Sequence, residues 1–107
     1  MKFTKTNFEQ SSYKTPEFIA FAKDFKKQIK AELKKVGAEL RDFNTGHFYL
    51  SGFFYKGDKC FYFSWHNGDK NLMFRTAKDM KDYTGGSNCW IGLERSFEEM
   101  RLELRLV

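Results

Sequence analysis

The chain has 107 residues, 41% of them hydrophobic and 19% aromatic, with one proline, eight glycines and a net charge of +5. A chain of this length and apolar content forms one folded domain, which excludes a disordered tail, a two-domain enzyme and a low-complexity linker. The moderate basic excess favours acidic partners: nucleic acid, an acidic protein surface or an anionic membrane.

No segment joins a basic start to an apolar run, and no apolar stretch approaches membrane-spanning length. The expectation is a soluble, cytosolic protein with no membrane partner. Its two cysteines are then expected to be reduced thiols rather than a disulfide.

In chain order, the first strong signal is a helix from Pro16 to Val36. Thr15 is its N-cap, Pro16 its first helical position, and Gly37 supplies the left-handed residue that ends it. Phe18, Phe21, Ala22, Phe25, Ile29, Leu33 and Val36 recur at three- and four-residue steps and make one apolar stripe. The opposite side carries Lys23, Lys26, Lys27, Lys30, Lys34 and Lys35 against Glu17, Asp24 and Glu32, which concentrates +3 of the net charge on one helix. This basic side reads as a solvated face or as an edge that contacts phosphates and acids.

A short strand, roughly Glu39 to Phe43, is expected next, turning through Asn44-Thr45-Gly46. The segment His47 to His66 then holds both histidines, Cys60 and nine of the twenty aromatic residues. Centred on Gly57-Asp58, it reads as a two-residue β-hairpin whose side chains alternate between two faces. Phe48, Leu50, Phe54, Phe61, Phe63 and Trp65 form a core face. His47, Tyr49, Ser51, Phe53, Tyr55, Cys60, Tyr62, Ser64 and His66 form the other.

A second turn at Asn67 to Lys70 leads into a strand from Asn71 to Thr76, placing Leu72 and Phe74 beside the core face. Centring that turn on Asn67-Gly68 or on Gly68-Asp69 shifts the pairing by two residues, which leaves the faces unchanged. Ala77 to Tyr83 suits a short helix or turn, and a strand from Cys89 to Glu94 follows a glycine-rich loop. From Ser96 onward a capping-box spacing and Phe97, Met100 and Leu104 favour a helix, although Leu102, Leu104 and Leu106 alternate like a strand. The predicted architecture is α+β: a long N-terminal helix packed on a four- or five-stranded, mostly antiparallel sheet, with a C-terminal helix or strand.

Three constellations bear on function. Tyr49, Phe53, Tyr55 and Tyr62 with Arg75 are candidates for a platform on which unpaired bases stack, with Lys23, Lys27, Lys30 and Lys34 as phosphate contacts. The apolar residues of the C-terminal segment must themselves be buried, so that segment covers the platform or leaves it open. His47 and His66, joined by Cys89, are the candidate metal ligands, for zinc if any metal binds. Cys60 lies about 20 Å along the strand from His66, beyond the reach of one ion or one nucleophile pair. No HExxH, GxSxG or dinucleotide fingerprint occurs, so no catalytic residue is assigned and a non-enzymatic protein is expected.

The stretches GHFYLSGFFYKGDKCFYFS and RTAKDMKDYTGGSN, within Phe43 to Leu93, resemble small proteins carried by phages and mobile elements of Gram-positive bacteria. Some proteins of that setting are anti-CRISPR inhibitors of type II RNA-guided nucleases. The resemblance implies a protein acting in the host cytoplasm by direct binding to a defence nuclease or to its guide and target nucleic acid. It transfers no functional residue. The basic charge departs from inhibitors that mimic DNA, which are strongly acidic. A single-stranded nucleic-acid-binding module is the alternative.

Overall fold

The structure is a computed structural model that describes residue 3 and residues 7–10, 13–83 and 85–93. Helix α1 (Pro16–Lys35) is followed by strands β1 (Glu39–Gly46), β2 (Tyr49–Lys56), β3 (Lys59–His66), β4 (Asn71–Ala77) and β5 (Cys89–Gly92). The five strands lie side by side in chain order, each antiparallel to the next. One helix on a five-stranded antiparallel sheet is an α+β fold, as the sequence patterns predict.

The ends of α1 follow their sequence signals. Thr15 Oγ1 accepts the Phe18 N–H at 3.4 Å, and Pro16 opens the first turn. At the other end the Gly37 N–H donates to Lys34 O and the Ala38 N–H to Leu33 O, with Gly37 at φ +73°. This is the Schellman arrangement that a C-terminal glycine permits. Phe18, Phe21, Ala22, Phe25, Ile29 and Leu33 are all buried. Phe21 meets Trp65 at 4.9 Å between ring centroids, and Phe25 meets Phe63 at 6.1 Å.

The helix is not the first packed segment. Phe3 stacks on Phe25 and donates its N–H to Leu93 O, while Phe8 packs against Phe21 and Trp65. Asn67 clamps Phe8, its Oδ1 accepting the Phe8 N–H at 2.7 Å and its Nδ2 donating to Phe8 O at 2.9 Å. Two phenylalanines five residues apart match neither a helical nor a strand period, so no pattern marks them as core.

The hairpin register is the expected one, with Lys56 opposite Lys59 and Tyr49 opposite His66. Gly57 has φ +61°, the left-handed value needed at the first central position of a II′ turn. After β3, the pairing of Ser64 with Met73 and Phe63 with Phe74 is the register that a turn centred on Gly68-Asp69 continues. The Trp65 Nε1–H closes that turn by donating to Asp69 O at 2.7 Å.

Two expectations are corrected. β1 runs on to Gly46, and the turn is His47-Phe48 rather than Asn44-Thr45-Gly46. Phe48 reaches the core from that turn at φ +60°, anchored by its ring contact with Phe18 and by the Asn67 N–H on its carbonyl. Of the two alternatives for Ala77 to Tyr83, the chain takes the turn: residues 78–83 form turns and bends, tied by the Asp82 carboxylate to the N–H groups of Lys78 and Gly85. β5 ends at Gly92, and the expected C-terminal helix or strand lies outside the described residues. No described helix is long and apolar enough to cross a membrane.

Candidate functional site

On the sheet face away from α1, the register sets Tyr49, Ser51, Phe53 and Tyr55 opposite His66, Ser64, Tyr62 and Cys60. The centre of this face is closed. Phe53 is only 1% exposed and Arg75 3%, and Cys60 and Met73 are buried beside them. Tyr83 folds over the face, its ring 5.6 Å from Phe53 and 6.0 Å from Tyr62.

The Arg75 guanidinium lies 4.5 Å above the Tyr62 ring and donates to Thr76 O at 3.2 Å and Asp82 O at 2.7 Å. Its donors hold the 78–83 turn, and its flat face is already stacked. The expected base-stacking platform is therefore corrected. Phe53, Tyr62 and Arg75 make a small second layer of core, because the sequence that follows β4 returns across them.

The remaining tyrosines lie apart. Tyr49, 38% exposed, sits at the open end with its ring 5.7 Å from His66. Tyr55 is half-buried under the Arg41 guanidinium at 4.5 Å. A hydrogen bond with Cys60 raises the Tyr55 phenol, and burial pushes the Cys60 thiol up. A thiol held in its protonated form is a packing group, not a nucleophile.

The candidate metal ligands do not converge. His47 stands in the β1–β2 turn with its ring against Phe48, and the His66 ring packs at a tilt against Tyr49. Cys89 pairs with Phe74 and packs against the helix-side core, on the opposite face from His66. Two strands and about three residues of rise separate Cys89 from His66, roughly 14 Å, too far for one zinc ion. Among the described residues no three His, Cys, Asp or Glu side chains gather to hold a metal.

The lysine stripe is placed as the helical spacing predicts. Lys23, Lys26, Lys27, Lys30 and Lys34 are exposed, and among the described residues none of the first four is held in an ion pair. Three of these flank a groove of about 400 Å³ or its continuation along the seam between α1 and β1. The groove is lined by Ile19, Ala22, Phe43 and Thr45 together with Lys14, Lys23 and Lys26. Lys30 joins Lys26 over a smaller hollow beside Leu40 to Phe43. Lys14, Ile19 and Phe43 were not singled out by their pattern, because only the packing of the helix against the first strand brings them together.

This geometry separates the two halves of the expected nucleic-acid surface. The tyrosines point away from α1 and the lysines stand on α1, so the sheet lies between them. Comparison of the chain with protein-family models, with curated proteins and with solved structures gives no match.

Proposed function

We propose that this protein is a binding protein that acts by direct contact with an acidic partner through the α1–β1 groove and its lysines. The observation that carries the reading is the group Lys23, Lys26, Lys27 and Lys30: four exposed ammonium groups without ion-pair partners among the described residues, two of which, Lys23 and Lys26, line an apolar groove. Unneutralised charge beside apolar surface combines electrostatic steering of an anionic partner with area to bury once contact is made. A purely solvated helix face needs no such groove.

The resemblance of Phe43 to Leu93 to proteins of phages and mobile elements supports an RNA-guided defence nuclease of the host as that partner. Inhibition then proceeds by occupancy, with the lysines against an acidic patch of the nuclease or against its guide and target nucleic acid. The test is a cleavage assay with a purified type II nuclease, guide and target, run beside affinity capture from host lysate. Wild-type protein should suppress cleavage and retain the nuclease, and Lys23→Glu/Lys27→Glu/Lys30→Glu should weaken both by about tenfold or more. No retained nuclease and unchanged cleavage would remove the reading.

A further inference from the structure

We propose that the outer edge of β1 takes up an extended acidic peptide segment of the partner as an added strand, with its acidic side chains against Lys23 and Lys26. The proposal rests on the lysine-surface reading above and adds to it the mode of recognition.

β1 is the terminal strand of the sheet, and among the described residues no strand pairs with its outer side. The Lys14 ammonium donates to Thr45 O at 3.0 Å and to Thr45 Oγ1 at 3.1 Å. The helix-side lysine reaches that carbonyl from outside the sheet, so it points outward. In a pleated antiparallel strand the N–H and C=O of one residue share a direction, and residues two apart repeat it. Phe43 therefore presents its backbone N–H and C=O to the same side. The irregularity between Leu40 and Asp42 breaks this phase, which bounds the open run at Asp42 to Thr45.

The same two residues, Phe43 and Thr45, line the groove with Ile19 and Ala22 of α1. Ile19 is 43% exposed, unusual for a large aliphatic side chain on an otherwise well-packed helix. A strand laid beside β1 sends alternate side chains toward α1, where this apolar strip receives them. Acidic residues two positions from those apolar ones share the α1 side and meet Lys23 and Lys26, and Lys14 can turn from the Thr45 carbonyl to an incoming carboxylate. Backbone pairing would supply affinity, while the strip and the ammonium groups supply selection for an acidic, partly apolar sequence.

Two observations favour a peptide over a nucleic-acid strand. A phosphodiester can accept the outward N–H of Phe43 but has no donor for its C=O, whereas a peptide strand pairs with both. Nor does the groove offer an open ring for a base, since Phe18 is buried and Phe43 half-buried.

The probes are a capped synthetic peptide in which glutamate and valine take turns at every second position with threonine between them, the same peptide with lysine for glutamate, and an oligothymidylate. Binding of the acidic peptide should slow amide exchange at Phe43 and Thr45 and weaken about tenfold or more in Lys23→Glu/Lys26→Glu. Thr45→Pro, which removes one outward N–H at an edge position, should weaken it comparably without lowering the melting temperature by more than a few degrees. If lysine reversal weakens binding while the β1 amides and Thr45→Pro have no effect, strand addition is wrong and the lysine surface stands. Equal binding of the basic peptide, or tighter binding of the oligothymidylate, overturns the proposal. The exchange measurement is made on the wild-type chain and does not depend on the folding of any variant.

Discussion

Truncating Phe53 separates a binding platform from a second core layer. Phe53 is 1% exposed on the sheet face away from α1, between Tyr62 at 5.0 Å and Tyr83 at 5.6 Å. Burying a phenylalanine contributes about 1.5–3 kcal/mol of transfer free energy, and the cavity left by Phe→Ala raises the usual loss to about 3–5 kcal/mol. Tyr83, itself largely exposed, can slide inward and fill part of the space, which sets the expected loss near 3 kcal/mol. At about 4–8 °C per kcal/mol for a domain near this size, the melting temperature should drop by roughly 12–24 °C. Urea denaturation gives the free energy directly, and Tyr49→Ala is the control, expected within about 0.5 kcal/mol because Tyr49 is exposed. A loss below about 1 kcal/mol for Phe53→Ala, with an unchanged denaturant slope, would refute the second layer and restore the platform.

Gly52→Ala should cost about 1–3 kcal/mol by overpacking, since the new Cβ meets the Asp42 carbonyl and comes within 2.7 Å of the Phe63 ring; chemical denaturation measures it. Arg75→Lys keeps the charge but loses the forked donors to Thr76 O and Asp82 O, so limited proteolysis should cut residues 78–83 faster than in wild type. Burial raises the Cys60 thiol, so the unfolded chain ionises first and stability should fall as pH rises from about 8.5 until the folded thiol also ionises. Cys60→Ala should flatten that part of a pH series of urea midpoints. Elemental analysis of the purified protein should return less than about 0.1 equivalent of zinc, and a stoichiometric value would contradict the separation of His47, His66 and Cys89.

Much of the fold is legible because short-range chemistry agrees with the long-range arrangement. Thr15, Pro16 and Gly37 mark the helix ends, and Gly57-Asp58 sets a hairpin register from which every face assignment in β2 and β3 follows. The β1–β2 turn fails for a specific reason. Asn44-Thr45-Gly46 carries turn chemistry, yet the chain turns at His47-Phe48, where a phenylalanine accepts a left-handed φ at a cost of about 1–2 kcal/mol. Burial of the Phe48 ring against Phe18 offsets that cost, and tertiary packing of this kind leaves no local mark. Phe3 and Phe8 are hidden likewise, since the Leu93 carbonyl holds the first, the Asn67 clamp holds the second, and their ring contacts carry no periodicity.

The candidate site shows where alternation stops being informative. Parity gives the side of the sheet on which a residue stands, and it places Phe53, Tyr62 and Arg75 together correctly. Whether that side is open depends on what returns across it, and the 78–83 turn brings Tyr83 and the Asp82 carbonyl onto the same three residues. Arg75 then spends its donors on backbone carbonyls and its flat face on Tyr62, the very groups that would have met a base. The lysines of α1 behave differently, because helical spacing alone keeps them on the side away from the core and the packed sheet cannot cover them. Their neighbours along β1 supply what the stripe lacks: an apolar strip and outward backbone groups at Phe43 and Thr45. The proposed recognition therefore lies not on the aromatic face, whose polar groups are already used, but at the seam, where exposed ammonium groups stand beside the edge strand.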